Sequence, residues 1–241
     1  MAQAIMKIIA TLLVVLGFAV GQNEDHSGLK SSQAKAIVAS FENKKLSKED
    51  LIPNGFTMVA EAKADLNQDG IDDLALVIRE KPKSESRDDQ YLSQAVLLFL
   101  GDKAGTFRLW KIGPHHMMDS NSELIMDGGI GTFEIKKGVL TILSSTAVSM
   151  GTWFNGVCTQ KWRNEKSGFR LIGLTIDNMD RKCGCGETRD TNFLTGEEIF
   201  TDDKNADGRQ ASKRKTKKIR GNPRVILWDD FDYDTFCTFG P

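Results

Sequence analysis

The sequence predicts a mainly β, β-rich α+β protein in which antiparallel strands follow one another as a meander and one amphipathic helix lies near the N-terminus. Two observations carry this prediction. Short apolar runs rich in branched residues recur along the chain, separated by turn-forming residues such as Lys137-Gly138. One segment, residues 32–45, instead places apolar side chains at helical spacing. With 241 residues, 40% of them hydrophobic, the chain can bury the core of a single domain.

Residues 1–21 have the composition of a secretory signal peptide. Lys7 supplies the positive charge, residues 8–20 are continuously apolar, and small residues precede Gln22 as a cleavage site requires. The apolar run is shorter than a transmembrane helix requires, so we expect the signal peptide to be cleaved and no stable membrane span to remain. The protein is therefore expected to be exported, periplasmic or extracellular. The remaining chain divides into a disordered leader and one β-rich domain, residues 22–31 and 32–241.

The expected elements follow from periodicity. The helix turns its apolar face, formed by Ala34, Ile37, Val38 and Phe41, toward a sheet. A strand at 57–64 places Met58, Ala60, Ala62 and Ala64 on one face. The further expected strands are residues 74–78, 95–100, 106–112, 132–136, 139–145, 158–163 and 169–176.

The sharpest chemical signal is the loop between the first two strands, residues 65–73. Oxygen-bearing side chains occupy alternate positions in its first half, and Gly70 then allows a sharp turn. Calcium prefers six to eight oxygen ligands, several of them carboxylates. We therefore predict a structural calcium site with five ligands: Asp65, Asn67, Asp69, Ile71 through its carbonyl, and Asp73.

Two other interpretations of this loop were weighed. An EF-hand needs a glutamate at the twelfth loop position and flanking helices, whereas this chain has Leu76 there and flanking strands. A plain Asx-type turn would explain Gly70 and one or two acids. It would not explain four acids within nine residues, because their mutual repulsion needs a counter-charge.

The loop and its strands, D-x-N-x-D-G-x-x-D at about residues 56–78, resemble the calcium motif of FG-GAP and VCBS-type repeats. This resemblance implies calcium at the acidic positions. A propeller needs several blades, and only one good copy is present, so the chain resembles small exported bacterial proteins with a single such element. The motifs G-T-W, F-R-L-I-G and N-F-L-T-G, within residues 151–196, strengthen that resemblance and imply architecture rather than activity.

The chain has four cysteines, and export makes two disulfides the expectation. A bridge between Cys183 and Cys185 would be strained. We therefore expect Cys158 and Cys237 each to bond one of those two. A four-thiolate zinc site and a redox-active pair are the alternatives, although C-x-C is not the usual spacing for either.

Two charged segments near the C-terminus were interpreted as structural. Residues 203–208 repeat the start of the calcium signature, but the cations at 213–215 oppose a divalent ion, so a turn is expected. The basic run at 209–220 lacks aromatic residues for stacking on bases and is interpreted as an edge strand protected by lysines. With a net charge of −1 as well, we expect no nucleic-acid partner.

The sequence offers little for catalysis. His115 and His116 are adjacent, so in an extended segment their side chains point in opposite directions. The acidic residues at 229–234 are the candidates for glycoside hydrolysis. We predict a non-enzymatic, exported, calcium-binding β module with a protein or glycan partner in the envelope or outside the cell. The alternatives are a polysaccharide or peptidoglycan hydrolase and a partner-binding adhesin or inhibitor.

Overall fold

The computed structural model describes residues 29–82, 92–116, 129–148, 154–180, 185–203, 215–221 and 223–237. The predicted signal peptide, most of the predicted leader, Cys183 and most of the second acidic loop lie outside these ranges. Within them, the strands form two antiparallel sheets, which confirms the mainly β prediction. No helix in the described part of the chain is long and apolar enough to cross a membrane.

The first sheet is a four-stranded meander in the order β1-β2-β3-β4. Its two central strands are buried on both faces because successive side chains alternate between the faces. Leu76 and Leu97 pack with residues of the helix, whereas Val77 and Val96 pack with residues of the second sheet. The strands are β1 (Phe56–Ala64), β2 (Asp73–Glu80), β3 (Gln94–Gly101) and β4 (Phe107–Gly113).

The second sheet has seven strands, and each pairs with its neighbour in sequence. The strands are β5 (Gly129–Lys136), β6 (Val139–Val148), β7 (Phe154–Glu165), β8 (Gly168–Asp180), β9 (Cys185–Asn192), β10 (Glu197–Asp203) and β11 (Lys215–Arg220). The sequence predicted β5 to β8 individually. It did not predict β9 and β10, which are too polar to show an apolar run. The lysine-rich β11 lies at the sheet edge, as interpreted from its composition.

Helix α1 (Ser31–Phe41) confirms the single N-terminal helix but ends earlier than predicted. Ile37 and Phe41 are buried, and the Phe41 ring lies edge-on to Phe99 at 5.6 Å between centroids. Val38 remains 39% exposed, so the buried face is narrower than expected. Ordered structure also begins before residue 32, since Leu29 is fully buried and its N–H donates to the Pro114 carbonyl at 3.0 Å.

In strand β1, the residues predicted to share one face are not equally buried. A bulge between Met58 and Ala60 shifts the register of its pairing with β2. As a result Met58 is 42% exposed, while Ala62 is buried. A strict two-residue alternation therefore does not hold along the whole of β1.

Residues 223–237 form a C-terminal strap that joins the two sheets. It contains a 3-10 turn (Trp228–Asp230) and a short helix α2 (Tyr233–Phe236). Its aromatic side chains belong to the core that includes residues of both sheets. Its bonds to other described residues include Leu171 N–H to the Ile226 carbonyl, the Trp228 indole to the Ile112 carbonyl, Tyr233 N–H to the His115 carbonyl, and the Tyr233 hydroxyl with Ser144.

A disulfide fixes the end of the strap. Cys158 of β7 bonds Cys237, with Cα atoms 5.8 Å apart. The expectation that these two cysteines would each bond Cys183 or Cys185 is therefore wrong. Cys185 is itself disulfide-bonded, and no cysteine in the described residues is free. The pairing follows from the way the strap returns to β7 over 79 residues of sequence, which cysteine spacing cannot reveal.

Candidate calcium loop

The loop of residues 65–73 joins two neighbouring antiparallel strands, since Ala64 of β1 pairs with Asp73 of β2. This is the strand–loop–strand arrangement that the sequence predicted. Leu66 is 1% exposed and belongs to the core that both sheets share. The loop is therefore anchored in the core by an apolar side chain.

Asp65 organises the first half of the loop. Its carboxylate accepts N–H groups from Gln68, Asp69 and Gly70 at 2.6, 3.2 and 2.9 Å. Gln68 and Gly70 both have left-handed backbone conformations, with φ of 67° and 82°. The curl that these angles produce brings the three N–H groups toward one carboxylate.

Asn67 and Asp69 continue the pattern inside the loop. Asn67 Oδ1 accepts the Asp69 N–H at 2.9 Å, and its amide nitrogen donates to Asp69 Oδ2 at 2.9 Å. Asp69 Oδ1 accepts the Ile71 N–H at 2.8 Å. Of the alternate oxygen-bearing side chains, those of Asn67 and Asp69 are therefore in direct contact.

Asp73 closes the loop from a buried position. It is fully buried, and its Oδ2 accepts N–H groups from Leu66 and Asn67 at 2.9 and 3.1 Å. Its Oδ1 accepts the Gly101 N–H at 3.0 Å, which ties the loop to the end of β3. Burial raises the pKa of the Asp73 carboxyl above its ordinary value, although the three backbone bonds oppose that rise and the charge of Asp69 adds to it.

The loop also touches the second sheet. A Cβ atom added to Gly138, in the turn between β5 and β6, would lie 3.1 Å from the Gln68 side-chain nitrogen. On its other side, a Cβ atom added to Gly101 would lie 2.2 Å from the Asp72 carbonyl oxygen. The loop thus lies at a joint between the two sheets, and glycines allow its close approach on both sides.

The donor chemistry of the loop fits calcium, since its oxygens are carboxylates, an amide and backbone carbonyls. Among the described residues, the carboxylates of Asp65, Asp69 and Asp73 form no ion pair. Neighbouring Asp72 has Lys63 at 3.5 Å, but both side chains are more than half exposed. The excess negative charge is therefore largely uncompensated.

The observed contacts are nonetheless those of a backbone-bonded Asx turn. Each of the four side chains accepts at least one backbone N–H, and the described residues contain no group of three or more His, Cys, Asp or Glu placed to hold a metal ion. The five ligand assignments, including the Ile71 carbonyl, therefore stay predictions. The calcium site and the Asx-type turn would use the same side chains.

Two of the four acidic residues of the strap have structural roles. Asp229 forms an ion pair with Lys111 of β4 at 2.8 Å, and Asp232 caps α2 by accepting the Thr235 N–H at 2.8 Å. Their neighbours Trp228 and Tyr233 are core residues, at 0% and 1% exposure. The other two candidates for hydrolysis, Asp230 and Asp234, are exposed.

The sequence did not reveal a groove between α1, β4 and the strap. Its volume is about 420 Å³. Apolar and charged residues line it together, among them Val38, Phe41, Arg108, Leu109, Lys111 and Asp229. These residues come from three separate parts of the chain, so no local motif could have indicated it.

No family model matches the chain, and no curated protein or solved structure matches it. The resemblance to FG-GAP and VCBS-type repeats therefore depends on the residues of the loop and its flanking strands.

Proposed function

We propose that this protein is an exported, non-enzymatic β module whose loop at residues 65–73 binds calcium, and that it binds a protein or glycan in the envelope or outside the cell. One observation carries the calcium proposal. Carboxylates of Asp65, Asp69 and Asp73 gather in one loop and have no cationic partner among the described residues. A divalent cation would supply the missing counter-charge.

The position of the loop supports a structural role for the ion. Asp73 is hydrogen-bonded to β3, and Gln68 lies against the turn between β5 and β6. An ion bound at this joint would hold the orientation of the two sheets. At a calcium concentration one hundred times the dissociation constant, it would add about 2.7 kcal/mol to the free energy of unfolding.

Export is supported by two independent features. Residues 1–21 have signal-peptide composition, and the Cys158–Cys237 disulfide is of the kind that persists in oxidising compartments. Extracellular calcium modules bind with dissociation constants of about 10⁻⁴–10⁻³ M. A loop whose carboxylates are partly satisfied by backbone N–H groups suits that weak range.

The test is a calorimetric titration of calcium into the metal-free protein, with the melting temperature followed in parallel. Asp69→Asn removes one loop charge at nearly constant shape. Asp102→Asn is the matched control, because Asp102 also accepts local backbone N–H groups, from Ala104 and Thr106, in the turn between β3 and β4. We expect calcium to give binding heat and a higher melting temperature in both the wild type and Asp102→Asn. The calcium affinity of Asp69→Asn should be at least tenfold weaker.

Two outcomes would contradict the proposal. One is the absence of heat and stabilisation up to about 10 mM calcium, above the usual range for extracellular modules. The other is equal binding by Asp69→Asn and the wild type. In either case residues 65–73 are an Asx-type turn, and the module does not depend on calcium.

A further inference from the structure

His116 lies in an aromatic cage beneath the C-terminal strap. It is 1% exposed, and its imidazole stacks on the Trp228 ring with 3.7 Å between centroids and 28° between planes. Phe231 of the strap lies 5.0 Å from it, and Trp162 of β7 lies 5.2 Å from it. Two walls of the cage therefore belong to the strap, and another belongs to the second sheet.

The cage offers the imidazole no hydrogen bond. Neither ring nitrogen of His116 has a partner among the described residues. The backbone of β4 closes one side, since a Cβ atom on Gly113 would lie 2.6 Å from His116 Nδ1. A protonated imidazole has two N–H donors and a positive charge, and such a group is costly to bury without a partner.

The charged groups around the cage also disfavour protonation. Lys111 of β4 and the adjacent His115 both lower the pKa of His116, after the larger effect of burial. On the strap, Asp229 is paired with Lys111, Asp232 caps α2, and Asp230 is exposed. From β7, the uncharged Gln160 donates its amide to the His116 carbonyl rather than to the ring.

The strap is the part of the cage that can separate without breaking a sheet. Its bonds to the rest of the protein are a few hydrogen bonds, the Asp229–Lys111 pair and the Cys158–Cys237 disulfide. Of the other walls, β7 has a neighbouring strand on each side, and β4 is an edge strand that pairs with β3. If Trp228 and Phe231 move away, the imidazole gains access to water, while the disulfide keeps the strap attached.

We propose that the C-terminal strap is an acid-sensitive latch, in which protonation of His116 favours a state where Trp228 and Phe231 have left the imidazole and the strap stays tethered through Cys237. The closed state holds His116 neutral, and the open state exposes it as an ordinary histidine. The open state therefore binds one more proton. Below about pH 6.5 the ratio of open to closed molecules rises about tenfold per pH unit, until the closed state itself takes up the proton.

The test is hydrogen exchange on the full-length, disulfide-intact chain between pH 7.5 and 5.0, corrected for the intrinsic pH dependence of exchange. The N–H groups of the Tyr233 backbone and the Trp228 indole, bonded to the His115 and Ile112 carbonyls, report on the strap. The amides of Val77 and Val96, on the central strands of the first sheet, report on global unfolding. Protection of the strap N–H groups is expected to fall about tenfold per pH unit below about pH 6.5, ahead of the central strands.

Two variants assign this effect to His116. His116→Phe keeps an aromatic ring but cannot be protonated, so the acid dependence of strap exchange should disappear. His115→Gln removes the neighbouring imidazole and should retain the dependence. A strap that opens with the same pH dependence in His116→Phe, or that opens only together with the central strands, overturns the proposal.

If His116→Phe does not fold, an NMR titration of the wild type tests the proposal instead. The His116 imidazole resonances are followed by NMR over the same pH range. His116 is expected to titrate only at a pH below that at which the strap N–H groups begin to lose protection, because the closed state holds its imidazole neutral. Titration of His116 with no change in strap exchange contradicts the latch.

Discussion

Two aspartate-rich segments lie outside the strands, the loop of residues 65–73 and the C-terminal strap, and their aspartates have different roles. In the loop, Asp65 and Asp73 each accept three backbone N–H groups and determine the path of the chain. In the strap, Asp229 and Asp232 lie toward the surface. Their aromatic neighbours Trp228, Phe231 and Tyr233 fill the core. The same acidic composition thus occurs in two different structures, a loop shaped by bonds to its backbone N–H groups and a strap that packs through its aromatic rings.

The largest expected loss of stability comes from removing an aromatic residue of the strap rather than one of its acids. Trp228→Ala removes a fully buried indole that stacks on His116 and donates to the Ile112 carbonyl. The free energy of unfolding should fall by about 3–5 kcal/mol, as large-to-small core substitutions do. Urea denaturation followed by circular dichroism measures this loss.

The matched control lies in the same segment. Val225 is 54% exposed, so Val225→Ala should change stability by less than about 0.5 kcal/mol. A loss below about 1 kcal/mol for Trp228→Ala would show that the strap is not part of the core, and the contrast with the loop would then fail.

The next effect tests whether the loop depends on one buried acid more than on its exposed ones. Asp73→Ala leaves the N–H groups of Leu66, Asn67 and Gly101 without their acceptor. Since a buried, unsatisfied donor costs about 1–3 kcal/mol, the free energy of unfolding should fall by about 3 kcal/mol or more. Asp69→Ala, at the exposed side of the loop, should cost about 1 kcal/mol in calcium-free buffer. Equal losses would contradict this division.

A smaller effect probes the joint between the loop and the sheets. Gly101→Ala puts a Cβ atom 2.2 Å from the Asp72 carbonyl oxygen, a backbone atom, and should cost about 2 kcal/mol. Gly138→Ala meets only the Gln68 side chain, which can move, but has φ of 71° and should cost about 1 kcal/mol. Thermal or urea unfolding of the two variants measures these two stability losses. A larger loss for Gly138→Ala than for Gly101→Ala would mean that the tighter contact is with the second sheet.

Much of the fold could be predicted from local pattern. The continuous apolar run at 74–78, rich in branched residues, indicated a buried strand, and β2 is one. Where the local pattern gave a wrong prediction, pairing with a neighbouring strand determined the structure. The bulge at Met58 depends on pairing with β2, and β9 and β10 are held by neighbouring strands despite their polar sequences.

The candidate site shows the same division between local and distant contacts. The D-x-N-x-D-G spacing indicated a tight loop between two strands, and residues 65–73 form one in which Asn67 and Asp69 are in contact. It could not show that Asp73 bonds to Gly101, which lies 28 residues away, or that Cys158 bonds Cys237. It also gave no sign of the cage around His116, because the rings that form it come from β7 and the strap.

The smallest effect concerns pH and distinguishes burial from hydrogen bonding at Asp73. Burial raises its pKa in the folded protein above the unfolded value of about 3.9. Between these two pKa values the folded state holds a proton that the unfolded state lacks, so this carboxyl's contribution to stability rises as pH falls through that window. The free energy of unfolding of the wild type minus that of Asp73→Asn, measured by urea unfolding in calcium-free buffer, should therefore increase from pH 7 to pH 4.5. His116 is present in both proteins, so its own acid dependence cancels. A decrease in this quantity would mean that the backbone N–H groups of Leu66, Asn67 and Gly101 outweigh burial and hold Asp73 ionised.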